Sequence, residues 1–472
     1  AAPGKTSYLL RVVYGFYGSL PSASNSQLSL VGWGDTTNGR WDQLAIGSSG
    51  ETICFNPEFS ASNSAITDVR ALLTRQGKDG KKWQWSDAGW GGDWLSVNGP
   101  TGTKLMFARM KTSYLSHGPC LPETVYQGSY GANGEVELKA EVSTPRADDH
   151  AKTFLRLRYD FRTELPTKDS WLFRLGQGKV FCPKIAIGNR DGLIQELDAP
   201  TGLKINESAL DHFALTGPAP WWVGFPGSKI PDWASGSRGF VVRSYRANFG
   251  GKTYDSPTLS FPVGAVAGDG RCHIDAVLVP PAGIEKYQAG DSVEMDIEID
   301  VVPTEVDDYY GPNEAFRKHI AENPGSWKTF HRLAIANDLQ VEAQGASVLR
   351  NFPIVVKADP GASMVRLKIQ GGAGAVPVRF EGLDTAKGWQ LGRVVSDDGM
   401  LDEYLPKLTQ FAPSLATRLE PKTERLDQSD YGNDFWETSF DPNSKTYAVT
   451  YNLPLDGKSN TTWILKKIQQ PK

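Results

Sequence analysis

The 472-residue chain lacks the features that would suit a membrane span or a nucleic-acid partner. It has no run of about 18 consecutive apolar residues, which a membrane-spanning helix would need. Its 50 basic and 54 acidic residues give a net charge of −4 without any block of Lys or Arg, so we expect no nucleic-acid partner. The nucleophile-elbow, Walker, dinucleotide-binding and zinc-protease motifs are also absent from the sequence.

Cysteine is scarce, and its spacing excludes a local zinc site. The four cysteines are Cys54, Cys120, Cys182 and Cys272, without a CxxC pair among them. The chain begins Ala1-Ala2-Pro3 with no methionine, which predicts a mature secreted or periplasmic protein whose signal peptide has been removed. In such a protein the cysteines predict up to two disulfides, in any of three pairings, with buried thiols as the alternative.

Aromatic residues, glycine and proline are abundant, and alternating patterns dominate the chain. It has 14 Trp, 16 Tyr, 20 Phe, 49 Gly and 30 Pro, a composition typical of many strands and turns. Apolar and polar residues alternate over 136–142, 154–161, 293–301 and 447–453, and the last segment pairs in a predicted hairpin with 436–440. These patterns predict antiparallel sheets with one buried and one polar face.

Helical signals are few, and they divide the chain. Ser64–Thr74 is one predicted short helix, and Asn313–Ala321, between Pro312 and Gly325, is another. We therefore predict an all-β protein: a large antiparallel two-sheet super-sandwich at 1–303, a helical connector at 304–333 and a smaller β-sandwich at 334–472. A sheet this large curves, and its polar outer face suits an extended polymer.

This organisation resembles a known fold family. The segments that carry the likeness are Tyr114–Thr124 (YLSHGPCLPET), Ile187–Leu193 (IGNRDGL), Asp307–Asn313 (DDYYGPN) and Gly432–Trp436 (GNDFW). With the two-domain β arrangement, they resemble the galactose-mutarotase-like super-sandwich proteins of secreted bacterial carbohydrate-active systems, polysaccharide lyases among them. The resemblance implies the fold and an extracellular habitat, and it implies no particular reaction.

The first functional hypothesis is β-elimination from a uronic-acid polysaccharide. That reaction needs a group that neutralises the carboxylate, a base for the C5 proton and an acid for the leaving oxygen. His117 and Tyr114 are the predicted base and acid, and Arg158 and Asn189 are predicted to neutralise or bind the carboxylate. The alternatives are a turn histidine, a charge ladder and a tight turn at Asn189.

Substrate binding is assigned to arginines and tryptophans. Arginine forks match carboxylates, and tryptophan rings stack on sugars, although tryptophans are more often core residues. The alternative for the arginines of strand 154–161 is a ladder with the acidic row of strand 293–301. Trp90 and Trp94 belong to a segment, Gly77–Gly99, that we predict to be a long surface loop. The candidate binding residues are Arg109, Arg156, Arg190, Trp90, Trp94 and Trp222.

Two other functions fit the same sequence. A glycoside hydrolase would use two carboxylates on the concave face, and a non-catalytic glycan-binding protein would use the aromatic residues alone. No cofactor and no catalytic metal are expected. Asp148-Asp149-His150 is a candidate for a structural Ca²⁺. The sequence predicts no oligomeric state.

Overall fold

The structure is a computed structural model, and it describes only part of the chain. The described residues are 26–31, 43–48, 51–55, 65–77, 80–85, 90–117, 121–145, 151–176, 182–226, 236–303, 327–336, 338–386, 388–394, 401–403, 436–456 and 460–467. Within them the protein is nearly all β, which confirms the predicted fold class. No helix in these ranges combines the length and the apolar character that crossing a membrane requires.

The described residues form 33 strands and one helix. The first strands are β1 (Ser26–Val31), β2 (Gln43–Ser48), β3 (Glu51–Phe55), β4 (Ile66–Gly77), β5 (Gly80–Trp85), β6 (Trp90–Asp93), β7 (Phe107–His117), β8 (Pro122–Tyr130), β9 (Val136–Ser143), β10 (Ala151–Phe161) and β11 (Leu165–Pro166). Next are β12 (Phe173–Gly176), β13 (Lys184–Asn189), β14 (Gly192–Asp198), β15 (Phe213–Ala214), β16 (Trp221–Phe225), β17 (Gly236–Phe249), β18 (Lys252–Tyr254), β19 (Thr258–Ser260), β20 (Val263–Val266), β21 (Cys272–Val279), β22 (Lys286–Tyr287) and β23 (Ser292–Pro303). Helix α1 (Trp327–Ala336) precedes β24 (Gln340–Gln344), β25 (Ala346–Asn351), β26 (Ile354–Ala358), β27 (Met364–Gln370), β28 (Ala373–Leu383), β29 (Trp389–Val394), β30 (Leu401–Glu403), β31 (Trp436–Asp441), β32 (Thr446–Asp456) and β33 (Thr461–Lys467).

Two large antiparallel sheets face each other across one core. The eleven-stranded sheet runs β1-β2-β3-β4-β6-β12-β21-β19-β15, with β5 on β4 and β20 on β21. The ten-stranded sheet runs β14-β13-β16-β17-β23-β10-β9-β8-β7, with β18 on β17. Apolar side chains from both sheets form a single buried cluster, including Leu157, Ile297 and Leu278. This is the two-sheet sandwich that the alternating patterns predicted.

The ten-stranded sheet has the two contrasting faces that the sequence indicated. On β23 the residues at 293, 295, 297, 299 and 301 are all buried in the core, as are Leu155, Leu157, Tyr159 and Phe161 on β10. The alternate residues of the same strands point to the other face, called the outer face below. Two of the charged site candidates, Arg156 and Arg158, lie on the outer face.

The C-terminal part forms a second, smaller pair of sheets. One has the order β24-β27-β33-β29-β30 and the other β25-β26-β28-β32-β31, with β26 and β28 parallel. Their shared core includes Val378, Leu453 and Trp463. The hairpin of β31 and β32 confirms the predicted one at the chain's C-terminal end. Among the described strands none pairs across residue 303, while the predicted boundaries themselves stay a prediction.

Helix α1 packs on the outer face over β16 and β17. Phe330 lies directly over β16 and β17, where a Cβ added at Gly224 would stand 2.4 Å from its ring and one at Gly239 2.5 Å. Leu333 and Ala334 complete the contact with Val241. The two glycines are therefore required for the helix to approach the sheet so closely. The other predicted helix, Asn313–Ala321, lies outside the described residues.

Two expectations about the N-terminal region are wrong. Ser64–Thr74 was predicted to be helical, but residues 66–77 form strand β4, whose pairing with β3 and β6 shifts register. Gly77–Gly99 was predicted to be a surface loop, but it contains β5 and β6 within the sheet. Gly92 is a glycine because an added Cβ would lie 2.4 Å from the carbonyl oxygen of Arg174.

The described cysteines are thiols. Cys182 and Cys272 are buried, and neither is in a disulfide. Burial raises the pKa of the Cys182 thiol to about 12. The alternative of buried thiols is thus confirmed for these two residues, while Cys120 and the side chain of Cys54 lie outside the described part of the chain.

Candidate functional site

The outer face of the ten-stranded sheet carries rows of charged side chains. Arg156 on β10 makes a bidentate contact with Asp296 on β23, with Nε to Oδ1 at 2.7 Å and Nη2 to Oδ2 at 3.2 Å. Ser244 Oγ donates to the same Asp296 Oδ2 at 3.0 Å. The hydrogen bonds from Arg156 to Asp296 are the main cause of the raised pKa of Arg156. Because Arg156 and Asp296 are cross-strand partners, the alternative interpretation of Arg156 as part of a charge ladder is confirmed.

A cleft separates this outer face from the C-terminal sheet that begins with β25. Its inner part, the inner pocket, has a volume of about 320 Å³. The large sandwich contributes Glu141, Arg156 and Asp296 to the pocket, and the C-terminal part contributes Arg350 and Phe352. Two bodies of the protein therefore form one concave site, as is common for ligand pockets.

The outer part of the cleft, the outer groove, is larger and more open. Its volume is about 680 Å³, and Arg156 and Arg350 line it as well as the inner pocket. Leu115 of β7 lies on one wall, and Phe440 and Tyr447 of the C-terminal hairpin lie on the other. Leu115 is 54% exposed and Phe440 51%. The inner pocket and the outer groove together are called the junction cleft.

The C-terminal wall of the groove combines an aromatic pair with a polar network. Phe440 and Tyr447 are cross-strand partners, with ring centroids 4.9 Å apart and planes tilted by 48°. Beside them, Arg379 Nε donates to Glu381 Oε1 at 3.0 Å, and Arg379 Nη2 donates to Ser439 Oγ at 2.6 Å. The wall therefore presents both an apolar surface and fixed hydrogen-bonding groups.

Arg350 and Phe352 dock the C-terminal sheet onto the large sandwich. Arg350 Nη2 donates to Glu123 Oε1 at 3.3 Å, and its Nη1 lies 3.8 Å from Glu141 Oε2. Phe352 packs edge-on against Phe154, with ring centroids 4.2 Å apart. The guanidinium of Arg243 lies 5.1 Å from the centroid of the same Phe352 ring. The docking is thus both ionic and aromatic.

A buried ionic group underlies the inner pocket. Arg243 pairs with Glu298, whose side chain is fully buried, and also donates from Nη1 to the Ala334 carbonyl of α1 at 3.0 Å. Burial is the main cause of the raised pKa of Glu298, opposed by the positive charge of Arg243. Arg243 consequently fixes the helix and the pocket wall to the same strand.

The predicted acid and base lie on the strand that borders the groove. Tyr114 and His117 belong to β7, on either side of Leu115, at the end of the ten-stranded sheet. Their backbones pair with Thr124 and Pro122. Their side chains lie outside the described part of the structure, so their catalytic roles stay predictions.

The two groups predicted to bind the carboxylate, Arg158 and Asn189, lie on different strands, β10 and β13. Arg158 Nε and Nη2 donate to Asp160 at 3.0 and 3.2 Å on an exposed part of the outer face. Asn189 closes a turn: its amide donates to Thr216 O at 2.9 Å, and its Oδ1 accepts from Asp191 N at 2.8 Å. Asn189 is on β13, seven strand spacings from β7, or about 33 Å. Asn189 therefore lies far from Tyr114 along the sheet, and its contacts are those of the tight-turn alternative. Its catalytic role stays a prediction.

Two of the arginines predicted to bind substrate do not line the junction cleft and make structural contacts instead. Arg109 has a φ of 54° and lies at a register shift of β7. Its Nη2 donates to Ala132 O at 3.2 Å. Arg190 Nη2 lies 2.9 Å from Asp338 Oδ2, which joins the β13–β14 hairpin to the segment after α1. Of the three arginines, only Arg156 lines the junction cleft.

The described tryptophans among the candidates are core residues, so their predicted role as sugar platforms is wrong. Trp94 and Trp222 are both 0% exposed. Trp94 packs against Tyr126, with ring centroids 5.3 Å apart. Trp222 stacks on Trp327 of α1 at 6.2 Å. Trp90 lies on β6, and its side chain lies outside the described part.

The cleft residues that the sequence reasoning missed are Glu123, Glu141, Arg350, Phe352 and Phe440. Four of them lie on strands, and Phe352 lies in the turn between β25 and β26. The cleft forms only when two distant parts of the chain dock. Phe440 had one signal: it is a large aromatic residue next to a predicted turn, where a buried position is unusual. Within the described residues no group of three or more His, Cys, Asp or Glu side chains is arranged to hold a metal ion. The candidate Ca²⁺ segment Asp148-Asp149-His150 lies outside those residues.

By sequence, no family profile and no curated protein matches the chain. Among solved structures, it is similar to an alpha-galactosidase from Lactobacillus brevis, with 11% identity, a TM-score of 0.29 and coverage of 61% of this chain and 41% of that one. It is also similar to a GH92 family glycosyl hydrolase, with 11% identity, a TM-score of 0.22 and coverage of 63% and 35%. The chain thus spans well under half the length of both structures, and at these TM-scores the likeness carries no argument about activity.

Proposed function

We propose that the protein is a carbohydrate-active protein that holds a polysaccharide in the junction cleft. The observation that carries the proposal is the outer groove, in which an exposed aromatic pair stands beside fixed charged and hydroxyl groups. A volume of about 680 Å³ is within the range of small-molecule sites. The groove is open, so it suits a segment of a longer polymer.

The aromatic pair supplies the apolar half of sugar recognition. Phe440 is 51% exposed although it is one of the largest apolar side chains, and Tyr447 lies beside it. A sugar ring has one face of C–H groups, which packs on an aromatic ring and removes apolar surface from water. The Phe440–Tyr447 pair is therefore the proposed platform, in place of the buried tryptophans.

The polar groups supply the other half. Arg379, Glu381 and Ser439 are already joined by hydrogen bonds, so they are preorganised before a ligand arrives. Charge-assisted hydrogen bonds from such groups fix the orientation of sugar hydroxyls at little cost in side-chain entropy. Arg156 and Arg350 continue this polar surface into the inner pocket.

Binding calorimetry on a panel of polysaccharides and their oligosaccharides tests the proposal. We expect Phe440→Ala to weaken binding by about tenfold or more, equivalent to about 1.4 kcal/mol. Ile205→Ala is the matched control, because Ile205 is an exposed apolar residue, at 59%, that does not line the cleft. Equal affinities for both variants, or no binding to any glycan, would refute the cleft as a glycan site.

Hydrolysis is a second candidate function, favoured by two carboxylates in the cleft. Glu123 pairs with Ser143 and Glu141 pairs with Val125, so the two glutamates occupy diagonal positions on β8 and β9. Diagonal neighbours are about 7–8 Å apart, and their Cβ atoms are somewhat closer. Both contact Arg350. Their spacing is compatible with the carboxyl separations of about 5–9.5 Å that glycosidases use.

β-Elimination, predicted from the sequence, requires different groups. Without Asn189 it would rely on Tyr114, His117 and an arginine of the cleft. Elimination releases reducing ends together with an unsaturated product that absorbs in the ultraviolet, whereas hydrolysis releases reducing ends without that absorbance. If Glu123→Gln and Glu141→Gln no longer release reducing ends, the result supports hydrolysis. If His117→Ala and Tyr114→Phe no longer produce the ultraviolet absorbance, the result supports elimination. A protein that binds glycan and releases no ends by either route is a binding protein alone.

A further inference from the structure

The charges that line the junction cleft balance almost completely. Counted over both parts of the cleft, the cations are five: Arg156, Arg243, Arg350, Lys357 and Arg379. The acids are six: Glu123, Glu141, Asp296, Asp338, Glu381 and Asp441. A negatively charged polymer in this cleft would therefore meet no net positive charge.

The pairing is local as well as global. Arg156 is held by Asp296, Arg350 by Glu123 and Glu141, and Arg379 by Glu381. A uronate that approached one of these guanidinium groups would also approach the carboxylate beside it. Like charges repel, and a carboxylate that leaves water without a surplus cation loses hydration without compensation.

An uncharged sugar meets no such obstacle. A hydroxyl group is both a donor and an acceptor, whereas a guanidinium only donates and a carboxylate only accepts. One sugar hydroxyl can therefore donate to Glu381 and accept from Arg379 in the same ion pair. The alternating ion pairs of the cleft offer donors and acceptors side by side along its length.

Resting on the glycan-binding function proposed above, we infer that the occupant of the junction cleft is an uncharged polysaccharide and not a uronic-acid polymer. This changes the substrate class that the sequence predicted. Arg158 does not reverse it, because Arg158 lies outside the cleft and is hydrogen-bonded to Asp160. The aromatic platform contributes equally to the binding of charged and uncharged polysaccharides, so charge is the property that distinguishes between them.

The test compares single polymers in two forms. Several uronic-acid polysaccharides are each prepared as the native acid and as the carboxyl-reduced, neutral derivative with the same linkage. Affinities are measured by calorimetry at low and high salt, for the wild type and for Phe440→Ala. Only binding that falls in Phe440→Ala counts as binding in the cleft.

We expect at least one neutral derivative to bind in the cleft at least about tenfold more tightly than its acidic parent. Its affinity should change by less than about twofold with salt, because no net charge is neutralised. Cleft binding of the acidic forms alone, weakened steeply by salt, would overturn the inference and leave the proposed function standing. Absence of any binding that depends on Phe440 would overturn both.

A charge variant provides a second, independent test. Glu381→Gln leaves Arg379 without its acidic partner and adds one unit of positive charge to the groove. We expect this variant to gain affinity, about tenfold, for an acidic polymer that the wild type binds weakly. Lys368 is an exposed cation on β27 outside the cleft. Lys368→Gln is therefore the control, and it should change the affinity for neither the acidic nor the neutral polymer. If Glu381→Gln does not gain affinity for the acidic polymer, the inference that charge selects the occupant is contradicted.

Discussion

Replacing Arg350 with methionine removes the ionic contact between the C-terminal sheet and the large sandwich. Methionine keeps the length and apolar packing of the side chain but not the guanidinium. Arg350 is 15% exposed at its side chain and Glu123 10%, so the contact is largely shielded from water. The change leaves Glu123 as a buried carboxylate that has lost a cation.

The expected cost follows from these contacts. A hydrogen bond to a charged group contributes about 1.5–3 kcal/mol, and breaking a buried ion pair by removing one partner costs about 3–5 kcal/mol. Arg350 also loses its Nε hydrogen bond to Pro353 O at 3.1 Å. The second acid, Glu141, is more exposed and its contact is longer, 3.8 Å, so it adds little. We expect a loss of about 3 kcal/mol in the free energy of unfolding.

Urea denaturation followed by tryptophan fluorescence measures this loss. Arg350→Met, Glu123→Gln and the double variant form a cycle that isolates the pair, with an expected coupling of about 1–2 kcal/mol. Lys368→Met is the control, because Lys368 is exposed on the other C-terminal sheet. A loss below about 0.5 kcal/mol for Arg350→Met, or additive single changes, would refute the contribution of this contact to docking.

Three further predictions concern the large sandwich. Gly224→Ala should lower the free energy of unfolding by about 1–3 kcal/mol, measured in urea, because the new Cβ would lie 2.4 Å from the Phe330 ring; an unchanged midpoint would contradict the packing of α1. Cys182 should resist alkylation in the native protein at pH 8, with only about one thiol in ten thousand ionised, and peptide mapping should detect its labelling only after denaturation. Burial raises the pKa of Asp93, so its charged form is disfavoured in the folded state. As the pH rises from about 4 through that raised pKa, the free energy of unfolding of the wild type should fall relative to that of Asp93→Asn. Urea titrations measure this difference, and a rise in the relative stability of the wild type over the same interval would contradict the prediction.

The alternation of side chains was sufficient to predict the sheets. On β23 every second residue from Val293 to Val301 is buried, because a strand in a two-sheet core must send alternate side chains inward. The same rule failed at 64–74. There Ile66, Val69 and Leu73 match a helical spacing, and the register shift of β4 interrupts the period of two that would have indicated a strand.

The cleft could not be predicted from local patterns. Arg350 and Glu123 are 227 positions apart in the chain, and no property of either segment indicates that they meet. The buried tryptophans could not be distinguished from exposed ones by local patterns either. Trp222 lies beside Gly188, where an added Cβ would be 2.0 Å from its ring, so the indole occupies space that the neighbouring glycine leaves. Sequence identifies such a ring but not which surface will cover it.

Strand β7 lies at the end of the ten-stranded sheet in the part of the chain that the structure describes. Its pairing with β8 shifts register twice, between Ala108 and Lys111 and between Tyr114 and Ser116. An exposed strand edge is a template on which another chain could add a strand and begin to aggregate. A strand interrupted twice offers only short stretches of regular hydrogen-bonding groups, and the exposed Lys111 adds a charge to desolvate. The irregularities of β7 should therefore keep molecules of this protein apart at high concentration.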